Sequence, residues 1–246
     1  MTTKRQPTHT AYVKTIHSDN QVTSRFTFLE SRSNTIRGIG FLLISTFSMS
    51  AMVTLVRHLS ADLHPFQLAF FRAFFGFLVF IPFLIQNGLA PFRTQRLALH
   101  SLRATLHSIS VILFFYGLKM TPLAKAISIQ FSAPLFASVL AIVILGESLR
   151  LGRIAALTVG FVGALVVLRP GIVPIGVETI AILIAAAMWG TALIVIKALA
   201  RTESSATMTI YSTLLMSPIT LIVALPVWQH PDWSQMFLLL IVGALA

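Results

Sequence analysis

The sequence predicts an all-α polytopic membrane protein, and three observations predict it. Apolar residues make up 56% of the 246 and charged residues only 10%, against roughly 25% charged in soluble domains. Mean hydropathy is +0.87. Apolar runs of spanning length recur along the chain, separated by short polar segments that hold most of the Lys and Arg. A surface this apolar faces lipid, so the bilayer is the first expected partner. The net charge of +11 would point to nucleic acid in a soluble protein. Here it reads as a set of topology signals, and no nucleic-acid partner is expected. The chain has no cysteine, which excludes a disulfide, a Cys-ligated zinc site and a thiolate nucleophile.

Residues 1–37 read as a basic cytoplasmic tail, rich in Ser and Thr and carrying no long apolar run. Its composition suits disorder. An Arg-rich, acid-poor transit peptide is the sharper alternative, and a secretory signal peptide is not expected. A spanning helix needs ~20 apolar residues. The first run is Ile39–Val56, then Phe66–Ile85, His100–Leu118 and Ala126–Leu145. Gly152–Leu168, Ile180–Ile196 and Ala206–Val227 follow. The last run, Trp233–Ala246, reaches only ~21 Å at the helical rise, against ~30 Å of hydrocarbon. It is expected to be an unfinished eighth span.

Loop charge predicts a cytoplasmic N-terminus. With that orientation thirteen Lys and Arg fall on the inner side, including Arg93, Arg96, Arg150, Arg153 and Arg201. Four fall outside: Arg57, Lys119, Lys125 and Arg169. Cytoplasmic segments carry the excess of positive charge. Trp228 and Trp233 flank a loop without Lys or Arg, as an outer interface would have.

Shifting the sequence by 140 positions lays the sixth run on the first, with Leu43-Ile44 on Leu183-Ile184 and Arg57 on Lys197. Five helices are an odd number, so a second copy enters from the opposite side. Such inverted repeats build many secondary transporters, with the solute site between the halves at mid-membrane. The expected domains are a tail (1–37), a complete five-helix repeat (38–171) and an incomplete second repeat (176–246).

Several residues in the spans could carry chemistry. Pro134 lacks an N–H and leaves the carbonyl of Gln130 without its helical partner. Gln130, Ser128 and Ser132 cluster just before it. Freed backbone at membrane depth is tolerated where it is re-satisfied or lines a cavity. So either Gln130 bonds a neighbouring helix or Gln130, Ser132 and Pro134 line a solute site. Pro82 and Pro218 raise the same question without an amide nearby.

Arg72 lies ~9 Å into the second helix. It either snorkels to the outer interface or faces a cavity and holds a solute carboxylate or phosphate. His100, Arg103 and His107 share one face of the third helix. The first two read as inner-interface anchors. His107 is deeper and suits either a structural hydrogen bond or proton coupling. Tyr116, Trp189 and Tyr211 are candidate cavity aromatics or packing residues. Gly152, Ala156, Gly160 and Ala164 make a ridge without bulk, expected to pack against another helix, with a homodimer seam as the alternative.

No Asp or Glu lies mid-span, so no acidic proton relay is visible. No phosphate-binding Gly-rich loop, His-Glu-x-x-His pair or Gly-x-Ser-x-Gly elbow occurs. No metal, cofactor or catalytic residue is therefore expected, and a polytopic membrane enzyme is disfavoured.

At Leu145-Gly146-Glu147, followed by Gly152, Gly160, Gly163 and Arg169-Pro170-Gly171, the sequence resembles the end of an EamA domain. That family belongs to the drug/metabolite transporter superfamily. Phe66 to Arg72 resembles its second-helix opening, Ala133-Pro134 its mid-helix proline, and Ala187-Met188-Trp189-Gly190 the opening of its second repeat. The resemblance covers residues 38–246. It implies ten helices in two inverted repeats and a central cavity for small metabolites or drugs, with Gln130, Ser132 and Trp189 on the cavity side. Eight of those ten helices are visible here. The expected function is secondary transport, uptake or efflux, of an amino-acid-like or S-adenosylmethionine-like solute, or of riboflavin, across a bacterial inner membrane. The unfinished second repeat leaves a transport-inactive remnant or partner subunit as the alternative.

Overall fold

The computed structural model describes residues 36, 38–88, 92, 94–146, 151–168 and 176–246. Every long element is helical. The chain divides into two compact units, Met1–Ser48 and Met49–Ala246. In the first unit the described residues are the opening of helix α1 (Gly38–Leu59), whose side chains Phe41, Leu42 and Phe47 are exposed and apolar. Exposure of that kind suits lipid.

Among the described residues the second unit holds the rest of α1 and nine further α-helices. In order these are α2 (Pro65–Leu78), α3 (Ile81–Asn87), α4 (Leu97–Met120), α5 (Leu123–Gln130) and α6 (Ala133–Leu145). Then come α7 (Leu151–Leu168), α8 (Val177–Leu199), α9 (Ser205–Ala224) and α10 (Trp233–Ala244). Among the described residues six stretches are long and apolar enough to cross a membrane: α1, α2 with α3, α4, α5 with α6, α8, and α9 with the 3-10 turn Leu225–Val227.

Two of the three prolines divide a span. Pro82 and Pro134 each fall in the first turn of a new helix, α3 and α6. There the missing N–H costs no helical bond. The fourth span is thus two helices in series, α5 and α6. Phe131 and Ser132 keep right-handed backbone at the joint. Pro218 stays inside α9. On either side of it Ser217 Oγ donates to Thr213 O at 2.8 Å and Thr220 Oγ1 to Met216 O at 2.8 Å. Gly146 ends α6 at φ +63 and donates its N–H to Ile142 O. That is a left-handed cap which glycine adopts without steric cost. Glu147 lies outside the described residues, as do Arg93, Arg150, Arg169–Gly171 and the tail apart from Ile36.

The described core has a small cluster, Val195, Leu199 and Met208, and a large one. The large one joins Met52 and Val56 of α1, Phe71 and Phe75 of α2, Phe114 and Phe115 of α4, and Ile129 of α5. Ile182 of α8, Met216 of α9 and Val242 of α10 complete it. Close packing carries association in lipid, because lipid tails are as apolar as the side chains. Glycines set the closest approaches. A Cβ at Gly117 would lie 2.8 Å from Glu178 O, and one at Gly243 would lie 2.8 Å from Gly76 N. The Gly-Ala ridge of α7 behaves otherwise. Gly152 meets nothing within 4 Å, and Gly160 only Leu135 at 3.7 Å. The expected packing ridge is thus open at Gly152 and in ordinary contact with α6 at Gly160.

Polar side chains tie helix ends and faces together. Arg57 donates to the carbonyls of Leu118 and Lys119, capping the end of α4. Gln67 Nε2 donates to Gln229 O at 2.7 Å, and Ser110 Oγ to Ala185 O at 2.8 Å. A capping box opens α10, with Asp232 accepting from Gln235 N at 2.7 Å.

His64 caps α2, its Nδ1 accepting from Phe66 N at 3.3 Å. Burial pushes its imidazole below the ordinary value of 6.5, and Lys119 adds to the effect. A cap needs the neutral ring. Because the folded value is lowered, this stabilisation is complete above pH 6.5 and is lost as pH falls below it. Asn caps without titrating. His64→Asn is therefore expected to flatten part of the pH dependence of thermal unfolding between about pH 5 and 7. An unchanged slope in the variant would remove His64 from that dependence.

Candidate functional site

Four helices bring a cluster of polar and cationic side chains into the bundle. α2 supplies Arg72, α4 supplies Arg103 and His107, α8 supplies Trp189 and α9 supplies Ser212. The ring centroids of His107 and Trp189 are 4.6 Å apart, tilted at 44°. His107 Nδ1 lies 3.4 Å from Ser212 Oγ. Arg72 and Arg103 are both within electrostatic reach of His107.

Arg72 is 9% exposed and its Nε has no partner. Snorkelling, one of the two sequence readings, is thereby set aside. A cation at membrane depth costs ~2.5–3.5 kcal/mol on insertion scales. No carboxylate pairs with Arg72 among the described residues, and the nearest acid in sequence, Asp62, is exposed. The arrangement has unused positive charge and directional N–H donors beside an aromatic face. It suits an anionic group such as a carboxylate, which accepts from guanidinium along two parallel bonds.

Next along α4 the interface-anchor reading of His100 and Arg103 gives way. His100 is 1% exposed, stacks on Tyr211 at 4.5 Å, and neither ring nitrogen has a partner. Arg103 donates to Met208 O on α9. Tyr211 in turn donates to Phe92 O at 2.8 Å, and Thr94 to Glu203 Oε1 at 2.7 Å. These bonds tie the segment before α4 to α9 and to the α8–α9 connection.

A cavity of about 680 Å³ opens beside the break between α5 and α6. Its position matches the bend in the fourth span, but its wall is apolar. α5 and α6 contribute Ile129, Ser132, Leu135, Phe136, Val139 and Leu140. α7 contributes Phe161 and Leu165, and α8 Leu183, Ala187 and Thr191.

The seven expected site residues therefore separate. Arg72, His107 and Trp189 belong to the cationic cluster, and Ser132 to the cavity. Gln130 is half-buried at the break, its Oε1 enclosed without a partner. Pro134 is exposed in the first turn of α6. Tyr116 sits elsewhere, against Phe66 at 6.5 Å. Ser212 was not legible beforehand, because α9 carries many hydroxyls at helical spacing. The cavity's Phe136 and Phe161 looked like any other apolar residues. Among the described residues no group of three or more His, Cys, Asp or Glu could hold a metal ion.

Comparison with known proteins agrees with this architecture. Residues 36–169 match the EamA-like transporter family. An S-adenosylmethionine uptake transporter of Rickettsia felis is 32% identical over 209 residues, covering 85% of this chain and 71% of that protein. A riboflavin transporter of Vibrio cholerae is 32% identical over 166 residues, covering 67% and 56%. A protein crystal structure with 19% identity shares the fold at a TM-score of 0.55, over 81% of this chain and 73% of that one. With a family match over more than half the chain and relatives of this similarity, the chain belongs to the EamA-like transporter family and is a multi-pass membrane transporter rather than an enzyme.

Proposed function

We propose that this chain takes up a small organic metabolite bearing a carboxylate, of the amino-acid or S-adenosylmethionine kind, across a bacterial inner membrane. The observation that carries the reading is Arg72, a buried guanidinium in a span with no carboxylate paired to it among the described residues. Arg72 holds the solute's carboxylate, and the Trp189 and His107 rings form a face beside it. Gln130, with a spare amide oxygen, takes part from the break in the fourth span. The name of the Rickettsia felis relative supports uptake as the direction and S-adenosylmethionine as the first solute to test. The cytoplasmic N-terminus and the inverted relation of 38–171 to 176–246 belong to the same reading. Loop charge and the odd helix count support them.

The test is uptake of radiolabelled S-adenosylmethionine by proteoliposomes holding the full chain. Saturable uptake is expected, with an excess of a carboxylate-bearing analogue competing better than riboflavin, which has none. Gln130→Ala is expected to lower uptake about threefold to tenfold, the worth of one hydrogen bond in a dry site. Undiminished uptake in that variant would remove Gln130 from the site.

A further inference from the structure

The cavity beside the α5–α6 break differs in chemistry from the Arg72 cluster. None of its wall residues is charged, and only Ser132 and Thr191 carry a hydroxyl. Thr191 Oγ1 is occupied, donating to Ala187 O at 2.9 Å. Ser132 is not. It is 6% exposed and its Oγ has no partner. A serine at a helix start ordinarily accepts from an N–H of the first turn. Ser132 makes no such bond, because its backbone is already right-handed helical at φ −74 and ψ −12. A buried hydroxyl left unpaired is destabilising, and rotation about χ1 between staggered wells can turn it toward the space.

The volume of about 680 Å³ lies within the ~300–1,000 Å³ of small-molecule sites, which are mostly apolar and aromatic with a few polar groups. Phe136 and Phe161 supply ring faces. An ionic solute would lose its hydration here without compensation. A saturated acyl chain would leave Ser132 unpaired. We propose that this cavity binds a neutral aromatic molecule with a single hydrogen-bonding group, its ring between Phe136 and Phe161 and its polar group on Ser132 Oγ. Such molecules partition into bilayers, and α7 presents exposed Val162 and Val166 to the lipid beside the cavity. The site is independent of the carboxylate-binding reading, and its test involves no transport.

The experiment is equilibrium dialysis of radiolabelled 2-naphthol against the full chain in nanodiscs, with empty nanodiscs subtracted. Saturable binding near one molecule per chain is expected. Ala187→Phe fills the cavity and is expected to abolish the saturable component. Ser132→Ala is expected to weaken it about fivefold to tenfold. Thermal unfolding in the same nanodiscs confirms folding. Should Ala187→Phe not fold, Leu140→Trp in the α6 part of the wall takes its place. Linear partitioning alone in the unmodified chain overturns the proposal. So does saturable binding that survives the folded cavity-filling variant.

Discussion

Arg72→Gln is expected to lower solute uptake by about a hundredfold while leaving the helices at least as stable as before. The two halves of this expectation come from the same charge. A charge-assisted bond to a carboxylate is worth ~1.5–3 kcal/mol, and the upper end corresponds to about a hundredfold. The unliganded protein, however, holds Arg72 buried with its Nε unpartnered. Removing the cation there relieves a desolvation cost instead of breaking a bond. Arg72→Lys keeps the charge and loses the planar fork, so an intermediate loss of uptake is expected. The check is initial uptake at matched protein density, alongside thermal unfolding of each variant. If uptake falls only in proportion to lost folded protein, Arg72 is a packing residue.

Gly190→Ala is expected to destabilise the bundle by about 1–3 kcal/mol, the usual cost of overpacking, and Gly190→Leu to prevent folding. The new Cβ would lie 2.6 Å from Ala133 O, 2.9 Å from Ala137 N and 2.9 Å from Phe136 Cβ. Two of these atoms are backbone, so no side chain can swing aside. They also belong to the first turns of α6, where Pro134 fixes the direction of the helix. Gly163→Ala is the control, since nothing lies within 4 Å of it. There the gain in helix propensity, up to ~1 kcal/mol, is expected to show as equal or higher stability. Thermal unfolding in detergent separates the two. Equal behaviour at both glycines would contradict the close approach of α6 and α8.

The spans were legible in the sequence because a bilayer demands long apolar helices, and few other structures produce such runs. The residues between them followed from the same demand. Helix joints were partly legible. Proline 134 marked the right place, but an α5–α6 break and a kinked helix read identically in one dimension. Gly146 could be noticed as a glycine at a helix end, and its φ of +63 supplies the reason. The candidate site was most legible at its charges. Arg72 stands out because a cation is costly in a span, whereas Trp189, Ser212 and the cavity phenylalanines have the composition of ordinary packing. Which of them meet depends on helix rotation and crossing, and His107 against Trp189 is a contact between residues 82 positions apart. The burial of His100 was missed for a related reason: its place near a span end says nothing about the tyrosine from α9 that covers it.

Binding of S-adenosylmethionine and its decarboxylated analogue to the unmodified chain and to Arg72→Gln, in nanodiscs, reads the guanidinium–carboxylate contact as a double-mutant cycle. If Arg72 holds the carboxylate, losing either partner weakens binding strongly, and losing the second adds little. Equal tightness for the two ligands in the unmodified chain, or the same penalty from Arg72→Gln on both, contradicts it.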